Sequence, residues 1–187
     1  MPISIGVPMY SSLLKVTLLA VTMAMGTSVY AAGDAEAGQA KAATCVACHG
    51  VDGNSAVPTF PKLAGLGHKY LLKQMQDIRD GRRPVALMAG QVDNMTDQDL
   101  ADIAAFYDSQ SRTGGMADPD KVALGRKVYL AGIAERQVPA CSGCHSPTGN
   151  GNGPAGYPAL GGQHADYIAA QLKMFRKGCL LYTSPSP

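Results

Sequence analysis

The chain has 187 residues, a formal net charge of +2, only 6% aromatic residues and no tryptophan. That length allows one or two small domains, and a near-neutral charge with no basic run offers nucleic acid no phosphate-binding face. A small core so poor in large side chains needs support from a cofactor, a metal or disulfides.

Residues 1–31 read as a secretory signal peptide. Lys15 precedes the apolar stretch VTLLAVTMAMGTSV, and VYA at residues 29–31 offers small or apolar side chains for cleavage after Ala31. The apolar part is shorter than the roughly 20 residues of a transmembrane span, which disfavours an uncleaved membrane anchor. Export places the chain in an oxidising compartment, where cysteines are usually paired or modified. It has five: Cys45, Cys48, Cys141, Cys144 and Cys179.

After the leader the pattern is helical. Asp34 is placed to N-cap an alanine-rich helix running up to CVACHG at residues 45–50, and Gly38 on that helix permits close approach of another. A second helix is expected over residues 69–80, with Leu71, Leu72, Met75 and Ile78 on one face and Gly81 as its stop. A third starts at the N-cap Thr96, with Asp99 as capping-box partner and a stripe of Leu100, Ile103, Ala104 and Tyr107. A turn-rich linker, SRTGGMADPD, follows at residues 111–120.

The same order then begins again. Placing His49 over His145 brings Pro61 onto Pro158, Leu63 onto Leu160, Gly65 onto Gly162, Tyr70 onto Tyr167, Gln74 onto Gln171 and Gly81 onto Gly178, with one residue inserted after the second histidine. Gly38 corresponds to Gly125. Two tandem copies of a small domain account for this better than a solenoid, which takes at least three repeats. No stretch alternates with period two for long, so the fold class is all-α.

Each copy carries C-x-x-C-H: Cys45, Cys48 and His49, then Cys141, Cys144 and His145. Two thiols on neighbouring helical turns can form thioethers with the two vinyl groups of a haem, and the adjacent imidazole can take the iron; this is the spacing of c-type haem attachment. A redox disulfide would call for a thioredoxin-like βαβ setting, which is absent. Paired C-x-x-C units can bind zinc, but at far closer spacing, and neither alternative calls for a histidine after both pairs. Two covalent haems would also supply the apolar bulk that the core lacks.

The sixth ligand of the first haem has three methionine candidates. Met75 belongs to a helical stripe and reads as core. Met95 precedes the N-cap Thr96 and staples onto Leu100. Met88, in the loop PVALMAG, has no helical role and fits ligation. A His/Met pair is the usual electron-transfer ligation; it closes both axial positions and raises the potential. A ligating imidazole usually donates its other N–H to a carbonyl or carboxylate, and the carbonyls of Pro61 and Pro158 are natural acceptors.

At these residues the chain resembles the cytochrome c4 family, exported di-haem carriers built from two class I cytochrome c domains. GDAEAGQAKAATCVACHG, FPKLAGLGHKYLLKQMQDIRDG and DNMTDQDLADIAAFY are similar to that family's first domain, and PACSGCHSPTGNGNGPAGYPALGGQHADYIAAQL to its second. The resemblance implies domains at residues 32–112 and 113–178. It supports Cys45, Cys48, His49 and Met88 at one haem c and Cys141, Cys144 and His145 at the other. It further implies a periplasmic carrier in a respiratory chain, often at the membrane surface. The donor would be of quinol–cytochrome c reductase type and the acceptor a terminal oxidase.

The pattern departs at the end of the chain. The step from His49 to Met88, repeated from His145, reaches Ser184 rather than a methionine, and Met174 falls inside a helix and reads as core. The second domain is therefore expected to be incomplete at its C-terminus, its haem lacking the methionine ligand. CLLYTSPSP, at residues 179–187, matches nothing in the first copy and reads as an artefactual tail. The alternative function is a di-haem peroxidase-like oxidoreductase with an open second iron. No distal acid–base group stands out for it, and His68 and His164 are assigned surface or capping roles.

Overall fold

A computed structural model describes residues 32–177; the expected cleavage site and the tail with Gly178, Cys179 and Ser184 lie outside these residues. Its helices are α1 (Ala35–Lys41), α2 (Val46–His49), α3 (His68–Arg79), α4 (Asp97–Ser109), α5 (Pro119–Ala131), α6 (Ser142–His145) and α7 (Ala165–Arg176). Single 3-10 turns cover Ala42–Thr44, Ala86–Met88 and Ala134–Arg136. Among the described residues the only β pairing is two isolated bridges, Ile133 with Val138 and Asn152 with Tyr157, so the all-α reading holds. No helix among them is long and apolar enough to cross a membrane.

The expected caps are present. Asp34 Oδ1 accepts from the Glu36 and Ala37 N–H groups at 2.8 and 3.2 Å, satisfying two of the donors that a helix start leaves open. Thr96 and Asp99 form a full capping box on α4. The first helix differs from expectation, because it does not run unbroken to Cys45. The backbone stays right-handed through Cys45 (φ −81°, ψ −24°), but its middle turn tightens to 3-10 bonding, with Cys45 N–H on the Ala42 carbonyl at 2.8 Å. The C-x-x-C-H segment thus occupies its own turn, α2.

The first repeat closes through α1 and α4, which meet backbone to backbone. A Cβ on Gly38 would stand 2.0 Å from the Asp102 carbonyl oxygen, and one on Gly33 would stand 2.0 Å from that of Ala101. The Leu100, Ile103, Ala104 and Tyr107 stripe is buried, and Ile103, Ala104 and Tyr107 join Ala42, Leu66, Leu71 and Phe106 in one apolar cluster. Met75 packs against this cluster, as its core role requires, and Met95, expected to staple onto Leu100, packs against it too.

A buried carboxylate locks the closure. Asp102, 3% exposed, accepts from Asp34 N at 2.8 Å, Lys41 Nζ at 2.5 Å and Gln98 Nε2 at 2.7 Å. The Asp34 N–H, then the Lys41 ammonium, hold its carboxyl below the usual carboxylate range. A depressed folded pKa gives stabilisation that is present above the unfolded value of about 3.9 and is lost as pH falls through the folded value. Asp102→Asn is expected to cost about 2 kcal/mol at pH 7 by leaving buried donors poorly matched. The difference from the parent should shrink below about pH 4, as read by urea denaturation at pH 7 and pH 3.

The second repeat is covered less. Helices α5, α6 and α7 contain no buried residue, and α5 exposes Leu124 at 67%. Gly125, the counterpart of Gly38, has no neighbour within 4 Å of a built Cβ, and among the described residues no helix of this repeat corresponds to α4. Met174, expected in the core, is half-buried.

Candidate haem sites

In the first repeat the tightened turn delivers Cys45 at the head of α2, with Cys48 and His49 at its end. His49 N–H bonds the Cys45 carbonyl at 2.9 Å, and Gly50, at φ +80°, turns the chain away where a side chain would strain it. Cys45 is half-buried, Cys48 is exposed, and the two are not joined as a disulfide.

His49 is 6% exposed, and its Nδ1 lies 2.9 Å from the Pro61 carbonyl oxygen. A carbonyl can only accept, so Nδ1 carries the hydrogen and Nε2 is left with its lone pair. Burial pushes the imidazole pKa down, more than the Pro61 bond pulls it up, which favours the neutral, ligating form. The Pro61 loop is itself anchored: Leu63 and Ala64 N–H groups donate to the Gly53 carbonyl at 2.7 and 3.3 Å, and Gly65 N–H to that of Tyr107 at 2.8 Å. Tyr107 is buried with a hydroxyl that has no hydrogen-bond partner among the described residues. Burial, then the neighbouring Cys45 sulfur, pushes that phenol's pKa up.

The second repeat copies this geometry. His145 Nδ1 lies 2.8 Å from the Pro158 carbonyl oxygen, so it too presents Nε2. The Gly149 carbonyl accepts from Leu160 and Gly161 N–H groups at 2.8 and 2.9 Å, as Gly53 does in the first repeat. Phe60 stands edge-on to His49 at 6.3 Å between ring centroids, and Tyr157 stands edge-on to His145 at 5.8 Å. Two differences mark the copy. His145 is half-buried, and Ser146 takes the positive-φ, extended-ψ conformation (φ +67°, ψ 158°) that Gly50 takes earlier, steadied by Tyr129 Oη donating to its carbonyl at 2.6 Å.

Met88 ends the Ala86–Met88 turn, half-buried, beside a 72% exposed Leu87. Unlike Met75 and Met95, it does not pack on the core cluster.

Among the described residues no three His, Cys, Asp or Glu side chains cluster as a metal site. The donor set fits haem c instead. Each repeat offers two free thiols within one helical turn and an imidazole with its Nε2 lone pair free.

Residues that sequence reading passed over join the repeats. Lys62, 6% exposed, donates its backbone N–H to Gln163 Oε1 at 2.9 Å and accepts on its carbonyl from Gln163 Nε2 at 2.8 Å. Arg112 donates to the Gly65 carbonyl at 2.8 Å and to that of Gly161 at 2.6 Å. Arg83 donates to Gln74 at 2.8 Å and, across the junction, to Tyr167 at 3.1 Å and Gln171 at 3.0 Å. The two remaining histidines are not simply solvated: His68 Nε2 donates to the Ala101 carbonyl at 3.2 Å, and His164 Nε2 to that of Ser55, in the other repeat, at 2.8 Å. The available signal was Gln163 itself, a polar residue where the first copy has Leu66.

The cytochrome c family model matches residues 35–111 and again 122–179. Cytochrome c4 of Pseudomonas aeruginosa is 58% identical over 88% of this chain and 82% of its own length. Cytochrome c4 of Azotobacter vinelandii is 56% identical over 87% and 81%. The crystal structure of reduced recombinant cytochrome c4 from Pseudomonas stutzeri superposes with a TM-score of 0.77 at 54% identity, covering 79% of this chain and 82% of that one. In sequence, in the doubled haem-binding motif and in fold, this chain belongs to the cytochrome c4 family.

Proposed function

We propose that the chain is a periplasmic di-haem electron carrier of a respiratory chain. In this reading Cys45 and Cys48 would hold one haem c, with His49 and Met88 supplying ligands to its iron. Cys141 and Cys144 hold the other, with His145 on its iron. The observation that carries the reading is the repeated pairing of an Nδ1–H with a proline carbonyl beside two thiols, His49 on Pro61 and His145 on Pro158. Each bond fixes the ring and raises the basicity of the nitrogen offered to a metal. The haem would supply one-electron chemistry when bound; the chain orients the imidazole, and Met88 would close the first iron to substrates. The second iron has no methionine at the matching position, Ser184, and a high-spin signal from it is expected.

The domains proposed are residues 32–112 and 113–178, preceded by a leader cleaved after Ala31. A donor of quinol–cytochrome c reductase type and a terminal oxidase acceptor suit a carrier so placed, with peripheral attachment to the membrane surface. The peroxidase-like alternative gains nothing from the Pseudomonas aeruginosa and Azotobacter vinelandii relatives, both named cytochrome c4.

Matured protein tests the proposal directly. The pigment should resist extraction by acidified organic solvent and amount to two haems per chain. Redox titration should show two reversible one-electron steps, with little turnover of peroxide. Extractable pigment would end the covalent-haem reading, and rapid peroxide turnover would favour the enzyme.

A further inference from the structure

We infer that Gln163 of the second repeat is a positioning residue for the iron-binding imidazole of the first, acting through one peptide bond. The inference rests on the reading of His49 as an iron ligand. The Pro61 carbonyl and the Lys62 N–H belong to the same planar peptide unit. His49 Nδ1 donates to the carbonyl end at 2.9 Å, and the N–H end donates to Gln163 Oε1 at 2.9 Å. The unit is gripped on both sides. Hydrogen bonds in such a chain polarise one another, by about 10–30% per bond in condensed-phase estimates. An acceptor on the Lys62 N–H therefore makes the Pro61 oxygen a stronger acceptor, and so makes the imidazole a stronger electron donor to a metal at Nε2.

The next peptide is held as firmly. Gln163 Nε2 returns a bond to the Lys62 carbonyl at 2.8 Å, and Lys62 Nζ is tied to Thr113 through its carbonyl at 3.0 Å and its hydroxyl at 2.9 Å. With Lys62 only 6% exposed, water does not readily replace these partners.

The second repeat provides an internal control. Its matching peptide joins Pro158 to Ala159, and among the described residues the Ala159 N–H meets no acceptor. Leu66, which stands where Gln163 does, offers none. The influence therefore runs one way: the second repeat conditions the imidazole of the first, without a reciprocal bond.

The test compares Gln163→Leu with Arg112→Gln in the full haem-loaded chain. Leucine keeps the bulk and removes the acceptor; the arginine change loosens the same junction but leaves the Lys62–Gln163 pair alone. In Gln163→Leu the reduced-to-oxidised ratio at the His49 haem, at fixed poise, should rise about threefold, a fraction of the 10–100-fold effects seen for direct partners of metal ligands. The His49 Nδ1–H should exchange about tenfold faster by NMR, by the same loosening. The His145 haem should not change. Arg112→Gln should leave both haems unchanged while lowering thermal stability.

An unmoved His49 haem in Gln163→Leu, or an equal shift in Arg112→Gln, overturns the inference. If the leucine protein does not fold, Gln163→Asn serves instead: its shorter side chain should give a smaller shift of the same sign, and no shift counts against the inference. Failure of the underlying reading looks different, because the parent protein would then carry no covalent haem at His49.

Discussion

Gly38→Ala is expected to destabilise the first repeat by about 2 kcal/mol, whereas Gly125→Ala is expected to stabilise the second by up to about 1 kcal/mol. The two glycines occupy matching places in the repeats, so propensity alone predicts the same gain for both. Alanine is favoured over glycine inside a helix by roughly 1 kcal/mol. At Gly38 the new methyl would lie 2.0 Å from the Asp102 carbonyl oxygen and 2.9 Å from the Phe106 Cβ. Backbone cannot rotate aside as a side chain can, so α1 and α4 would have to part. Overpacking of that kind costs about 3 kcal/mol or more, which outweighs the propensity gain. At Gly125 there is nothing within 4 Å, and only the gain remains. Urea denaturation of the two single variants, with haem absorbance and helical circular dichroism as probes, reads both signs. Equal effects would mean that α1 and α4 do not approach as described.

Met88→Ala is expected to change the first haem most. If Met88 ligates the iron as proposed, losing its thioether removes a preference for Fe(II), and the potential of that haem should fall by on the order of 0.2 V, within the roughly 0.8 V that ligation commands. The long-wavelength methionine–iron band should vanish, and the opened position should bind added imidazole. Met75→Leu, at a residue packed against the core cluster, should keep the band and cost under about 1.5 kcal/mol. If the band survives in Met88→Ala, another residue ligates.

Much of this was readable without coordinates, for physical reasons. Thr96, Asp99 and the stripe on α4 are local and periodic, so capping chemistry and a 3.6-residue repeat identify them. The C-x-x-C-H turns and the proline acceptors sit at short offsets, 12 residues from histidine to proline in the first repeat and 13 in the second. The tightened turn at Ala42–Thr44 was not legible, because 3-10 and α bonding place almost the same demand on Ala-Ala-Thr. Nor was the junction. Lys62, Arg112 and Gln163 meet across irregular loops, where no periodicity links one partner to the other. A buried lysine also runs against composition rules, which place that side chain in water. His68 and His164 were underrated for the same reason: their acceptors, Ala101 and Ser55, are distant in the chain.

The backbone seam between α1 and α4 also bears on the order in which the first repeat is made. It joins the opening helix to the closing one, with Cys45, His49 and Met88 all on the stretch between. Bringing such distant segments together carries a loop-closure penalty and is slow relative to forming a single turn. The Cys45–His49 turn is closed by neighbouring residues alone, so an open chain can sample it transiently and offer both thiols before the seam has closed, although so short a turn is not stable by itself. A pigment tethered at that stage would give the later helices an apolar surface on which to collapse.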